Sequence, residues 1–236
     1  MKIEILYGIE GAKKAKGIVV IIDVFRAGTV EAYIMQKGAK TIIAVENESI
    51  AYKFKNKNND IIIVGERNGK IIPGFDYGNS PAQIEHVNFN GKTVIHKTTS
   101  GTRAIVNVKN ANEVLIGSFV NVNAICRYIK NVGCNNVSLV CSGTEFKNED
   151  HEDYICAQYI KNLLEDKKMN ILEKINELRN NRGLRFFNKE TQEDFPKRDF
   201  YLCTDINKYN FILKKIRSNN KISYIEKYDV TKGMEG

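Results

Sequence analysis

The 236-residue sequence is short of the features that most readily assign a chain to a class. No stretch approaches 18 consecutive apolar residues, so no membrane-spanning helix is expected. The opening Met1-Lys-Ile-Glu-Ile5 has neither an apolar h-region nor a small-residue cleavage site, so no signal peptide is expected and the cytoplasm is the default location. With only three prolines, the chain has no Pro/Ser-rich linker, and no low-complexity segment divides it, so one domain is expected. The five cysteines, Cys126, Cys134, Cys141, Cys156 and Cys203, are odd in number and scattered. No C-x-x-C pair occurs, which excludes a zinc or thioredoxin signature and leaves buried free thiols as the expectation. The three histidines, His86, His96 and His151, show no metal-binding spacing, and His96, inside an apolar run, is expected to be structural.

Familiar phosphate-handling motifs are absent too. There is no G-x-x-x-x-G-K-[ST], which excludes a P-loop NTPase, and no G-x-G-x-x-G follows the first strong strand signal. Asp23 has no second aspartate two positions on, unlike the D-x-D of haloacid-dehalogenase-type phosphatases. No cysteine is followed six positions later by arginine, which excludes the C-x5-R phosphatase loop.

What is present is an ordinary globular composition, 42% hydrophobic and 27% charged. A net charge of +8 would suggest a nucleic acid or acidic partner. The lysines are spread along a chain that also holds 27 asparagines, and no aromatic residues interleave with them as a stacking platform. Solvated faces are therefore expected, and no nucleic acid partner.

The apolar pattern alternates strand and helix. Residues 17–24 form a near-continuous β-branched run, the mark of a strand buried on both faces. A helix over 29–37, closed by Gly38, follows it. Strands are expected at 41–45, 60–64, 92–96, 113–116 and 136–141, with closing strands at 200–203 and 222–225. Helices are expected up to about residue 57, from the N-cap pair Ser80-Pro81, over 121–131 and through the charged stretch 149–181. The pattern implies a three-layer α/β/α fold around a largely parallel or mixed sheet. Residues 180–200 are poorly patterned, and an insertion, a lid or a small lobe is open there.

Unusual polar clusters fall just past the strands, where open α/β sheets bind ligands. They are Asp23-Val-Phe-Arg-Ala-Gly-Thr29, Gly65-Glu-Arg-Asn-Gly69 running on to Asp76, Lys97-Thr-Thr-Ser-Gly-Thr-Arg103, and Ser142-Gly-Thr-Glu145 with the acidic helix start Glu149, Asp150, Glu152, Asp153. Arginines and hydroxyl-rich loops suit oxyanions, while carboxylates beside anionic groups are how Mg2+ is usually held. Together they point to metal-assisted phosphoryl chemistry. Each piece also has a bland reading: Asp23 as a helix cap, Arg26 and Arg67 as structural ion pairs, residues 98–102 as a capped helix start, Glu149 and Asp150 as dipole complements, and Gly74, Gly78 and Asn79 as loop shapers.

Taken in order with Gly74-Phe-Asp-Tyr-Gly-Asn-Ser-Pro81 and Cys141-Ser-Gly-Thr-Glu145, these motifs resemble the 2-phosphosulfolactate phosphatases across roughly residues 17–160. The resemblance implies a Mg2+-dependent phosphatase releasing phosphate from 2-phosphosulfolactate and leaving 3-sulfolactate, a step of coenzyme M biosynthesis in methanogens. On that basis Asp23, Arg26, Glu66 and Arg103 are the candidate catalytic residues. Arg67, Thr98, Thr99, Ser100, Gly101, Thr102, Ser142 and Gly143 are candidates for substrate binding, and Asp23, Asp76, Glu152 and Asp153 for Mg2+. Two nucleophiles are open, a water activated by a carboxylate beside the metal and Asp23 itself. A related phosphorylated hydroxy acid as substrate, a non-catalytic anion-binding protein and a nucleic-acid-binding domain are the rival functions. A homodimer is the default assembly.

Overall fold

The computed structural model describes residues 1–58, 60–219 and 221–230. In chain order it runs β1 (Lys2–Tyr7), α1 (Gly8–Lys14), β2 (Lys16–Ile22), α2 (Ala27–Gln36), β3 (Thr41–Val45), α3 (Glu48–Lys57), β4 (Ile62–Arg67) and β5 (Lys70–Ile71). There follow α4 (Pro81–Ile84), β6 (Thr93–Lys97), α5 (Gly101–Asn107), β7 (Asn110–Gly117), α6 (Val122–Val132) and β8 (Asn136–Cys141). The chain then forms α7 (Glu152–Leu164), α8 (Ile171–Asn180), two short 3-10 turns (Arg182–Phe186 and Lys189–Thr191), α9 (Lys197–Cys203), β9 (Phe211–Asn219) and β10 (Ile222–Asp229). None of the described helices is long and apolar enough to cross a membrane.

The ten strands form one mixed sheet in the order β1-β8-β2-β7-β9-β10-β3-β6-β4-β5, with helices on both faces, so the expected α/β class holds. Its centre explains the apolar run over 17–24. Val20 and Ile22 of β2 point into one core with α6 and α7, while Val19 and Ile21 point into the other with α1, α2 and α5. Successive strand side chains alternate faces, so a strand covered on both sides must be apolar throughout. Helix α2 is buried from Ala27 to Met35 for the same reason.

One expected strand proves to be a helix, and one long strand was not foreseen. Residues 200–203 lie in α9, where Phe200 and Cys203, one helical turn apart, both face the core. β9, which carries Lys214, Lys215 and Arg217, was not anticipated because its basic half hides the strand pattern.

The sheet is also not uniform in direction. β1, β8, β2 and β7 are mutually parallel, as are β3, β6 and β4. The β9–β10 hairpin joins the blocks through antiparallel pairs on each side, so the second block runs opposite to the first within the sheet. At roughly 20–25° of twist per strand, the seven steps from β8 to β4 accumulate about 140–175°. That much twist leaves the two opposed blocks pointing in similar directions, where a flat sheet would point them apart, and the residues following β2 and β8 do meet those at the ends of β4 and β6 around one cavity.

Candidate active site

The first wall of the site forms where β2 and β8 end. Asp23 follows β2, and its Oδ1 accepts the Ala27 N–H at 2.9 Å while Oδ2 accepts the Ser142 hydroxyl at 3.0 Å. Asp153, in the first turn of α7, accepts the Val24 N–H at 2.8 Å and the Gly143 N–H at 2.9 Å, tying the two loops together. Glu152 beside it is buried, and His151 caps the helix by accepting the Asp153 N–H on Nδ1 at 3.2 Å. Acidic residues in a first turn also suit the positive end of the helix dipole.

The opposite wall comes from β4 and β6. Glu66 at the end of β4 holds both loops there: one oxygen accepts the Gly69 N–H and the Thr99 hydroxyl, the other the Thr99 N–H. Thr98 and Thr102 bond to each other and fix the start of α5. Gly101 packs directly on the first wall, since a Cβ there would lie 2.6 Å from Asp23 Oδ2.

Between the walls lies a cavity of about 230 Å³. That is below the ~300–1,000 Å³ of sites that enclose drug-sized ligands, so it suits a small compact anion. The poorly patterned segment roofs it with Arg182, Arg185 and Phe195. The Arg185 guanidinium lies 5.2 Å from the Phe186 ring centre and 5.3 Å from that of Phe195, and its Nη2 is 3.7 Å from Glu152. Its Nε is buried without a hydrogen-bond partner. Arg182 reaches Glu152 at 3.4 Å and His151 Nε2 at 3.2 Å. A neutral imidazole has one acceptor nitrogen, and Nδ1 already accepts from Asp153, so Arg182 is poorly matched there.

The electrostatics favour a cation. Burial, and next to it the repulsion of Glu152 and Glu66, pushes the Asp23 carboxyl up to about 6, even though the Ala27 and Ser142 bonds pull it down. Burial and then Asp23 and Glu152 hold Asp153 well above the ordinary carboxylate range. Burial lowers His151, the first cause, so it favours the neutral imidazole. Each oxygen of Asp23 and Asp153 accepts one short hydrogen bond and retains further lone-pair capacity. Among the described residues, His151, Glu152 and Asp153 bring potential ligand atoms within 4.8 Å of one another. Crowded hard oxygens whose charges burial opposes fit Mg2+.

Of the residues singled out in the sequence, Asp23, Arg26, Glu66, Thr98, Thr99, Ser100, Gly143, Glu152 and Asp153 line this cavity. Ser142, Gly101 and Thr102 stand behind the lining. Three expectations need correction. Asp76 lines an adjoining cavity instead, and its carboxylate is occupied by Lys55 and the Ile63 N–H. Arg67 and Arg103 are exposed outside the site, Arg67 facing Glu48. Arg26 does line the cavity, but its guanidinium is consumed by Asp199, the Asp194 carbonyl and the Gly69 carbonyl, so it acts as a buried brace. Glu66 likewise spends its oxygens on loop donors. The cations that do face the cavity, Arg182 and Arg185, were missed, although the R-x-x-R spacing before two phenylalanines was a visible signal. His151 and Asn79 were also passed over as ligand-facing groups.

Comparison with known proteins agrees with these motifs. The family model described as 2-phosphosulpholactate phosphatase matches residues 5–215. The chain is 38% identical over 148 residues to a probable 2-phosphosulfolactate phosphatase of Caldicellulosiruptor saccharolyticus, a match covering 61% of each chain, less than two thirds of that relative. A protein of the same description from Carboxydothermus hydrogenoformans is 37% identical over 71% of this chain and 69% of its own. One from Bacillus subtilis is 28% identical over 96% of this chain and 99% of its own.

Proposed function

We propose that this chain, which belongs to the 2-phosphosulpholactate phosphatase family, is a Mg2+-dependent phosphatase that hydrolyses 2-phosphosulfolactate to 3-sulfolactate and phosphate. The observation that carries this reading is the meeting of Asp23, Glu152 and Asp153 in one small cavity beneath Arg182 and Arg185. A receptor that only bound anions would gain nothing from carboxylates beside its ligand.

Asp23 and Asp153, with Glu152 beside them, would hold Mg2+, which stabilises negative charge on the phosphoryl oxygens when bound. The chain's residues supply the rest. Arg185 Nε has no partner, and Arg182 has only a long bond to Glu152 and a poorly matched His151 nitrogen, so both can turn to phosphoryl oxygens. As they do, Glu152 is released from them. Its oxygens make no short hydrogen bond, unlike those of Asp23 and Asp153, which makes Glu152 the carboxylate able to take a proton. Water then attacks phosphorus as its proton passes to Glu152, the ester P–O bond breaks, and the sulfolactate oxygen leaves and takes a proton from solvent, to which Glu152 returns its own. Asp23, with both oxygens held, is better suited to anchoring than to attack.

Phosphate release tests this. In Mg2+ the protein should hydrolyse 2-phosphosulfolactate, prefer it to phospholactate and p-nitrophenyl phosphate, and lose activity in EDTA. A folded protein that releases no phosphate from any of the three in Mg2+ would overturn the reading.

A further inference from the structure

Three buried residues beside the cavity have no part in the chemistry above. Glu31 of α2 and His96 of β6 are buried, and Asn79 lies in the loop before α4. His96 Nδ1 is 2.8 Å from Glu31 Oε1, and its Nε2 is 3.2 Å from Asn79 Oδ1. The Glu31 carboxylate and the Asn79 carboxamide oxygen both only accept, so His96 donates to each, from Nδ1 and from Nε2. The second of these bonds also fixes how the amide faces, with its oxygen on His96 and its NH2 turned away. Asn79 is only 5% exposed, yet it lines the cavity, and among the described residues no side chain or carbonyl accepts from its Nδ2.

Glu31 has no other task. Its second oxygen, Oε2, is buried without a hydrogen-bond partner. A carboxylate kept in the core for one partner is a poor device for stability, so its purpose lies in what His96 does for Asn79. The position of Asn79 is informative as well. With Arg26 and Gly69 it forms the partition between this cavity and the adjoining one of about 420 Å³. Glu152, Asp153, Arg182 and Arg185 line only the first cavity. A ligand whose phosphoryl group sits at the carboxylates and whose other end points toward the adjoining cavity meets Asn79 on the way. Arg26, on the same partition, has its charge neutralised by Asp199 and cannot serve that end itself.

We propose that Asn79 is a specificity-determining residue whose carboxamide NH2, aimed through His96 by Glu31, binds the anionic group of the substrate that is not transferred. That group is the carboxylate or the sulfonate, which present the same oxyanion acceptor. His96 and Glu31 are positioning residues. The proposal rests on the phosphatase reading of the same cavity.

The test is discrimination, not activity alone. Asn79→Ala should lower the preference in kcat/KM for 2-phosphosulfolactate over p-nitrophenyl phosphate by about 10- to 100-fold, the scale of one hydrogen bond to a charged group. The loss should fall mainly on KM. Phospholactate assigns the bond: a matching loss of preference points to the carboxylate, and retained preference to the sulfonate. His96→Gln, which keeps a donor toward Asn79, should retain the preference, whereas His96→Leu should lose it. Equal losses on all three esters, or none, would overturn the proposal. Calorimetry with 3-sulfolactate separates the two readings and does not depend on turnover. Wild-type protein that binds it without hydrolysing any ester defeats the phosphatase reading, while weaker binding by Asn79→Ala sustains this one. Binding unchanged by Asn79→Ala, or none to the wild type, defeats this proposal.

Discussion

Asp23 and Asp153 carry a sharp conflict between burial and charge. Folding raises both above the unfolded value near 4, so they favour the folded state at low pH and oppose it once ionised. For Asp23 the loss runs from about pH 4 through about 6. Metal-free protein should therefore lose stability across that interval, by on the order of 2–3 kcal/mol from Asp23 alone. Asp23→Asn should remove that part of the slope, and Mg2+ should flatten it in the wild type. Urea unfolding at pH 4 and pH 7.5 measures it, and identical slopes in wild type and variant would refute the explanation. These two acids were legible in the sequence because each stands just past an apolar run or opens a helix. The roles of the arginines were not legible. Arg26 finds its partner 173 positions away in Asp199, and nothing local to either residue announces the pair.

Elements were legible where one physical demand dominated. The run over 17–24 must be a doubly covered strand, and Ser80 does cap α4, accepting the Gln83 N–H at 3.3 Å. Elements with mixed demands were not. β9 packs Ile212 and Leu213 into the cores while Arg217 and Ser218 face solvent, so its two halves read differently. The 3-10 turn over Arg182–Phe186 has no regular period, because its work is to hang two arginines over the cavity while Phe186 anchors it in the core. α9 packs on that turn through Phe200 against Phe186, and its Asp199 accepts from Arg26, the Ser80 hydroxyl and the Ala82 N–H. Asp199→Ala leaves the Arg26 charge buried and unpaired, and should cost about 3–5 kcal/mol. A change below about 1 kcal/mol in chemical denaturation would show that the brace is dispensable.

At the scale of the whole molecule, alternation of strands and helices gave the layered class and a largely parallel or mixed sheet, but not how its two parallel blocks are joined. The C-terminal hairpin β9–β10 inserts between two parallel blocks and reverses one against the other. Pairing so distant in sequence leaves no local trace. Twist then brings the ends of β2 and β8 to face those of β4 and β6, and the two walls enclose a site that neither block could form alone. On this account the first wall supplies a divalent-cation site, the second completes the cavity around it, and the cation relieves the buried carboxylates. The most direct test is titration of metal-free protein with Mg2+ by calorimetry at pH 7.5, beside Asp153→Asn. The account predicts one Mg2+ per chain, with affinity at least about 10-fold weaker in the variant. No binding by the folded wild type, or equal binding by both proteins, would contradict it.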